Sequence, residues 1–459
     1  MPSSPLSGFS ARSIVVPFLL VFTLGLAACD QGHDLSESAG YGPDPQLPEP
    51  ASSWIPTVKV ADAIGWQNGA KPTPAPGMEV VAFASGLQHP RWLYELPNGD
   101  ILVAESDAPP KPEGTSVGLR GWVQGLFMKK AGSQMPSANR ITLLRDADGD
   151  GVAELKTAFL ENLNSPFGMA LAGDQFYVAN ADALMRFPYQ QDATRIDVPG
   201  TKVTDLPAGR NHHWTKSLVA STDGSKLYVG VGSNSNVAEN GMAEEANRAN
   251  VLEIDAASGA SRVFASGLRN PVGIDWNPAN GELWVSVNER DEIGDDLVPD
   301  YMTSVKDGAF YGWPYSYYGQ RVDARVEPQN PDLVAKAIKP DYALGAHTAS
   351  LGFTFVNNPA MGQPFQGGAI IGQHGSWNRN APAGYRVIFV PFANGRPSGP
   401  PQELLTGFLD GKGNAQGRPV GVRVDRRGGL LVADDVGNTV WRVTGQHSPA
   451  IGGAPGGSG

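Results

Sequence analysis

The chain has 459 residues, 57 of them glycine and 38 proline, one cysteine, and a formal net charge of −11. That length suits one large β domain or two ordinary ones, and the glycine and proline content suits many short strands joined by turns. The negative charge speaks against nucleic acid or an anionic membrane surface as a main partner, and a single cysteine leaves no disulfide within the chain.

At the start of the chain, Arg12 precedes an apolar run over 14–25, followed by Leu26, Ala27, Ala28 and Cys29. A charged start, an apolar middle and small residues before a cleavage point read as an export signal. The L-A-A-C run resembles the bacterial lipoprotein box. This implies a signal peptide over 1–28 and a lipidated Cys29 as the first mature residue. Asp30 resembles an inner-membrane retention signal, so the expectation is a periplasmic protein that touches the membrane only through its anchor. An ordinary signal peptide or an uncleaved anchor is the alternative. Residues 29–75, rich in Pro, Ser, Gly and Asp without periodicity, read as a flexible tether. The Gly- and Ser-rich tail over 446–459 reads as disordered.

Between these ends one module recurs six times, over 86–105, 163–180, 213–233, 267–289, 350–374 and 417–434. Each copy reads as strand, turn, strand. In the fourth copy, 274–276 alternates as a strand, 277–280 with Gly281 is turn chemistry, and 282–287 returns as a second strand. Isolated hairpins cannot bury their faces, whereas radial stacking can. The fold class expected is all-β, a six-bladed β-propeller over 76–445; a β-sandwich would not require six similar units. The stretch 121–131 reads as a short amphipathic helix in an insertion.

Antiparallel pairing sets the start of each first strand beside the end of each second strand. One face therefore collects His89, Arg91, Phe167, His212, His213, Arg269, Asn270, His347 and Arg418 from strand starts. Strand ends bring Glu105, Asn180, Ser233, Glu289, His374 and Asp434 to the same face. Five of the seven histidines fall at these equivalent places, which implies a polar, partly cationic pocket about the axis. Taken singly, His89 beside a proline reads equally as a turn residue, His347 and His374 as satisfied structural histidines, and Arg418 as an interblade brace. His212 and His213 together head a strand, so one of them points toward the axis, where a general base near neutral pH is its natural role.

Asp146, Asp148 and Asp150 resemble the start of a calcium loop, but its twelfth position is Thr157 rather than Glu. An acidic turn is an equal reading, and 291–300 is a second acidic loop. No zinc spacing, G-x-S-x-G, Rossmann or Walker fingerprint occurs, which speaks against a dinucleotide cofactor.

The motifs H-H-W-T-K-S-L, G-L-R-N-P-V-G, Y-G-W-P and G-R-P-V-G-V, with N-R-I-T-L-L-R-D-A-D-G-D-G-V-A-E and G-S-W-N-R, together resemble the soluble-type PQQ-dependent sugar dehydrogenases. They are most similar to the L-sorbosone or aldose sugar dehydrogenase branch, over about 78–444. That resemblance implies PQQ and Ca2+ as cofactors, a sugar as substrate, and a cytochrome or the quinone pool as electron acceptor. It implies His213 as general base, Arg269, Asn270 and Arg418 as cofactor contacts, and the Glu289 and Arg290 backbone carbonyls as calcium ligands. His347, His374 and Arg379 are further cofactor contacts at positions that match less closely. Gln416 stands where the family carries a second arginine. Two readings from other classes stay open: a calcium-dependent propeller lactonase, drawing on Glu105, Asn180 and Asp434, and a non-catalytic binding propeller.

Overall fold

The computed structural model describes residues 35–51, 59–111, 135–356 and 358–445. The signal peptide, Cys29, the helix expected at 121–131 and the tail over 446–459 lie outside these residues. The six repeated hairpins become the inner halves of six four-stranded antiparallel blades. Their innermost strands are Pro90–Glu95, Gly168–Ala172, Lys216–Ala220, Pro271–Trp276, Ser350–Val356 and Pro419–Val424, in blades 1 to 6. Each pairs with the next strand of its hairpin, as Pro271 does with Val287 in blade 4.

The ring closes by mixing the two ends of the propeller sequence. Met78–Ser85 is the outermost strand of blade 6, paired along its length with Thr439–Gly445. Blade 4 carries a long excursion after Pro299–Ser304, containing a two-stranded hairpin and one helical turn, before Tyr342–Ala346 completes the sheet.

A flat four-stranded sheet has two faces to bury, so the apolar cores lie between blades rather than within one. Six clusters of buried residues occupy the six interblade gaps, for example Ala170, Leu184, Leu218 and Ile254 between blades 2 and 3. Trp284, Tyr342, Phe353 and Ile388 do the same between blades 4 and 5. The clusters make neighbouring blades mutually dependent.

At the axis, one apolar residue from the start of each inner strand enters a common cluster: Trp92, Phe167, Trp214, Val272, Leu351 and Val420. In four blades the next residue is glycine, and there is no room for more. A Cβ on Gly352 would lie 2.0 Å from the Val420 carbonyl oxygen, one on Gly273 2.3 Å from the Phe353 Cβ, and one on Gly421 2.6 Å from the Arg91 carbonyl oxygen. The inner strands thus approach backbone to side chain around the ring and seal the axis with an apolar floor. Residues one or two positions earlier stand above that floor.

Part of the stretch read as a tether lies against the propeller. Tyr41–Gly42 adds to the outer strand of blade 4, and Thr73–Pro74 adds to that of blade 5.

Replacing Gly352 by Ala should cost about 1–3 kcal/mol, the scale of core overpacking. Urea unfolding of the two proteins measures the difference. The same change at Gly413, where a Cβ would meet nothing within 4 Å despite its positive φ, separates the steric cost from the backbone cost.

Candidate active site

Above the floor the strand starts and strand ends of all six blades meet, and their polar side chains sort into three connected groups. The first surrounds His213. Its Nδ1 lies 2.9 Å from the Ser233 carbonyl oxygen and 3.0 Å from the Ser233 hydroxyl, which itself donates to the Ser235 carbonyl. A carbonyl only accepts, so Nδ1 carries the proton and Nε2 presents a lone pair. Burial, then the Arg269 and His212 charges, hold the imidazole well below its usual pKa, so it is neutral. His212 packs edge-on against it with the ring centroids 4.7 Å apart. The His212 ring is open to solvent yet walled by protein, and that desolvation, with Arg269, pushes it down to about 4. Asn270 reaches the same spot: a Cβ on Gly232 would meet both Asn270 Oδ1 and His213 Cβ. Asn270 Oδ1 is buried without a hydrogen-bond partner.

Arg269 forms the second group. Its guanidinium is buried and donates to the Asn288 and Glu289 carbonyls at 3.2 and 2.6 Å, to both Asn236 oxygens, and to Asp291 at 3.4 Å. Trp313, from the Y-G-W-P motif, donates to the same Asn236 carbonyl. Arg269 therefore brackets two loops, at Asn236 and at 288–291, rather than presenting a free fork. Asp291 also receives Asn378 at 2.8 Å and His347 Nδ1 at 3.3 Å, while His347 Nε2 lies 2.9 Å from the Gly294 carbonyl. Asp291 and the Gly294 carbonyl are acceptors and favour the imidazolium, while the Asn378 amide Nδ2 also stands 3.3 Å from Nδ1. Burial works against that charge, but the Asp291 hydrogen bond and carboxylate raise the pKa above its usual value.

The third group centres on Asp435, one residue beyond the expected Asp434. Asp435 accepts from Arg91 at 2.6 Å and from His374 Nε2 at 2.9 Å, with His89 Nε2 at 3.6 Å. Burial opposes its charge, yet His374, His89 and Arg91 keep the carboxyl far below the usual range. Burial pushes His374 down to about 4, so its Nε2 donates a proton while Nδ1 stays bare. Arg418 stacks over Tyr385 with 4.8 Å to the ring centroid and donates to its hydroxyl, while its Nε is buried and unpartnered. Arg91 lies 5.8 Å over the Trp214 ring, which joins this group to His213.

Several expected contacts turn elsewhere. Arg379 pairs with Asp296 at 2.8 Å; Arg290, expected to act through its backbone carbonyl, has its side chain buried against Asp323 at 2.9 Å. His347 has both ring nitrogens occupied and offers no free donor to a cofactor, whereas Arg379 is held by Asp296 through Nη2 with its Nε buried and unpartnered. Asp434 faces away from Asp435, accepting from the Trp66 and Trp441 indoles. Glu105 is held by Arg140, Thr142 and the Gln88 N–H. The Glu289 carboxyl, pushed up to about 7 by burial against the pull of Arg269, accepts the Arg290 N–H. Sequence reasoning missed Asn236, Asp291, Asn378 and Asp435, which act through contacts across blades. It also passed over Lys216 inside its own H-H-W-T-K motif. That buried amine donates to the Trp214 carbonyl and to Asn211, and burial, then Arg248, hold its pKa far below normal.

The donor set suits a polyanionic, oxygen-rich ligand. Arg91 and Arg418 keep buried guanidinium N–H groups without partners beside open imidazoles. It suits calcium at Glu289 poorly. That carbonyl already carries a guanidinium at 2.6 Å, and the neighbouring Asp291 carboxylate is taken up by Arg269, His347 and Asn378. Elsewhere, Asp146, Asp148, Asp150 and Glu154 bring ligand atoms within 4.8 Å of one another, in the loop after Arg140–Arg145. Register places that loop on the opposite face from the bowl, and Arg427 already binds Asp146 at 2.8 Å.

A six-bladed propeller with an imidazole- and guanidinium-lined axial bowl is one of several families sharing this architecture. The chain belongs to the TrAA12-like family, whose sequence profile matches residues 136–307 and 322–446. It is 23% identical over 428 residues to a pyrroloquinoline quinone-dependent pyranose dehydrogenase of Coprinopsis cinerea, covering 80% of this chain and 56% of that protein. The chain thus spans little more than half of that curated relative. In structure it is similar to the holo PQQ domain of the Coprinopsis cinerea pyranose dehydrogenase, with TM-score 0.65 and 21% identity over 84% of this chain and 100% of that one. A calcium structure of the Trichoderma reesei AA12 enzyme gives TM-score 0.65 and 19% identity over 85% of this chain and 99% of that one.

The raised His347 pKa carries a sign. Its contribution to stability is fully present below about pH 6.5 and is lost as pH rises through the higher folded value. The melting-temperature gap between the wild type and His347→Gln should therefore be largest near pH 5.5 and shrink toward pH 9. A gap constant across that range would remove the imidazolium bracket.

Proposed function

We propose that this protein is a PQQ-dependent sugar dehydrogenase that oxidises an aldose or a sugar aldehyde. The observation that carries the reading is the neutral His213. Its Nδ1–H is fixed on the Ser233 carbonyl, which leaves Nε2 as a proton acceptor above the axial floor beside Asn270. Family membership and likeness to PQQ-dependent sugar dehydrogenases support the reaction class. The sorbosone-type substrate rests on motif resemblance alone.

The chain's own residues divide the work as follows. Arg418 and Arg91 offer guanidinium donors to the ligand's carboxylates, with Asp435 fixing Arg91 and Tyr385 fixing Arg418. Arg269 fixes the Asn288 and Glu289 backbone beside Asn270, so it acts as a bracket rather than a direct ligand. His213 Nε2 accepts the proton of the sugar hydroxyl. The apolar floor of Trp92, Phe167, Trp214, Val272, Leu351 and Val420 stops water entering from below. When bound, PQQ would supply the two-electron acceptor that no side chain can provide. Calcium is assigned no step.

We also propose that the protein is exported and lipidated at Cys29, with a haem protein or membrane quinone as its electron acceptor. A lactonase reading draws on axial carboxylates, but Glu105 and Asp434 are fully engaged by Arg140, Thr142, Trp66 and Trp441.

Apoprotein given PQQ and calcium should reduce an artificial dye with one or more of a panel of aldoses and sugar aldehydes. Replacing His213 by Gln should lower kcat by about 10²–10⁴-fold, the range of general-base loss, with the quinone still bound. Lactone hydrolysis without PQQ, or no turnover of any sugar by PQQ-loaded protein, would overturn the reading.

A further inference from the structure

Ala51 and the described residues from Lys59 to Trp66, ahead of the propeller, make contacts that fall beside site residues. Ala51 N–H donates to the Ile293 carbonyl, two residues from Asp291. Lys59 donates from its backbone to the Trp377 carbonyl at 3.0 Å and from Nζ to the Asn380 carbonyl at 2.7 Å, flanking Asn378 and Arg379. Ile64 N–H donates to the Ala415 carbonyl, and Ala415 N–H to that of Asp62, three residues ahead of Arg418. Trp66 Nε1 then donates to Asp434 Oδ2 at 2.6 Å.

The last contact reaches deepest. Asp434 Oδ1 accepts the Arg418 N–H and the Gly437 N–H, both at 2.8 Å, while Oδ2 takes the Trp66 and Trp441 indoles. The carboxylate is closed in, since a Cβ on Gly417 or on Gly437 would lie 2.2 Å from it. The four donors fix the backbone at Arg418 and the turn that carries Asp435, the acceptor for Arg91 and His374. Of the four, only Trp66 comes from outside blade 6. Its ring is anchored edge-on against Phe408 and Trp441, at 5.7 and 5.4 Å between centroids.

We propose that Trp66 is a positioning residue of the active site. Acting through Asp434, it sets the place of Arg418 and Asp435, and the stretch from Lys59 to Trp66 works as a strap that holds the rim loops of blades 5 and 6 in register. Ring closure does not depend on it, because the closing pair is Met78–Ser85 with Thr439–Gly445. The part of this inference that concerns a ligand rests on the quinone reading above; the part that concerns the loops does not.

Trp66→Phe in the full chain keeps the aromatic packing and removes only the indole N–H. Hydrogen exchange on the apoprotein should quicken at the amides of Arg418, Gly437 and residues 434–436, with the central strands of blades 1 to 3 unchanged. PQQ titrated into the same protein should bind roughly tenfold more weakly, the scale of one hydrogen bond to a charged group. Lys59→Met should quicken exchange around 376–380 but leave Arg418 as it was. Unchanged exchange at Arg418 and Gly437 in Trp66→Phe, or equal acceleration throughout the propeller, would overturn the proposal. If wild-type protein binds no PQQ, the functional reading fails while the exchange experiment still decides the strap.

Discussion

The structure depends on how closely six inner strands can approach one another around the axis. Each presents an apolar side chain to a shared plug, and in most blades the following residue has no side chain, so the neighbouring backbone can close in. Interiors packed to this density do not adjust continuously to added volume. The plug fixes the height of every strand start, and with it the level at which Arg91, His213, Asn270 and Arg418 stand. A bowl of polar groups over an apolar floor follows from this ring of contacts.

Within the bowl, residues of the same type do different work because their partners differ. His213 and His374 are each tied by one nitrogen to an acceptor and left bare at the other, and burial keeps both neutral. His347 lies between two acceptors that favour its charged form, with the Asn378 amide also beside Nδ1. Arg418 stacks on an aromatic ring and keeps unpartnered donors, whereas Arg269 is saturated by carbonyls and holds loops together. Buried charge here is paid for by pairing, which keeps the site's few unpaired groups conspicuous.

The rim segment illustrates a limit of compositional reading. A stretch rich in Pro, Ser, Gly and Asp has no period and no apolar face, so it reads as a chain that cannot bury itself. That remains true of the segment alone. What orders its described part is a series of single hydrogen bonds to loops far away in sequence, from Ala51, Lys59 and Ile64, with one indole seated in a core built by blades 5 and 6. None of those partners leaves a trace in the segment's own pattern.

The sequence by itself determined the blade count and the identity of the inner strands, because each hairpin carries its own alternation and turn. It also determined which residues stand at the strand ends, since antiparallel pairing is local, and Asn288 N–H does meet the Asn270 carbonyl at 3.0 Å. Direction was not legible. Asp434 and Asp435 are adjacent and alike, and only the fold turns one toward indoles and the other toward Arg91 and His374. Nor were the closing strand Met78–Ser85, the Asp291 bracket or the Trp66 contact, each of which joins residues from 22 to 368 positions apart. Local pattern sets what a residue can reach along its own hairpin; which of those groups is left free is decided by neighbours supplied from other blades.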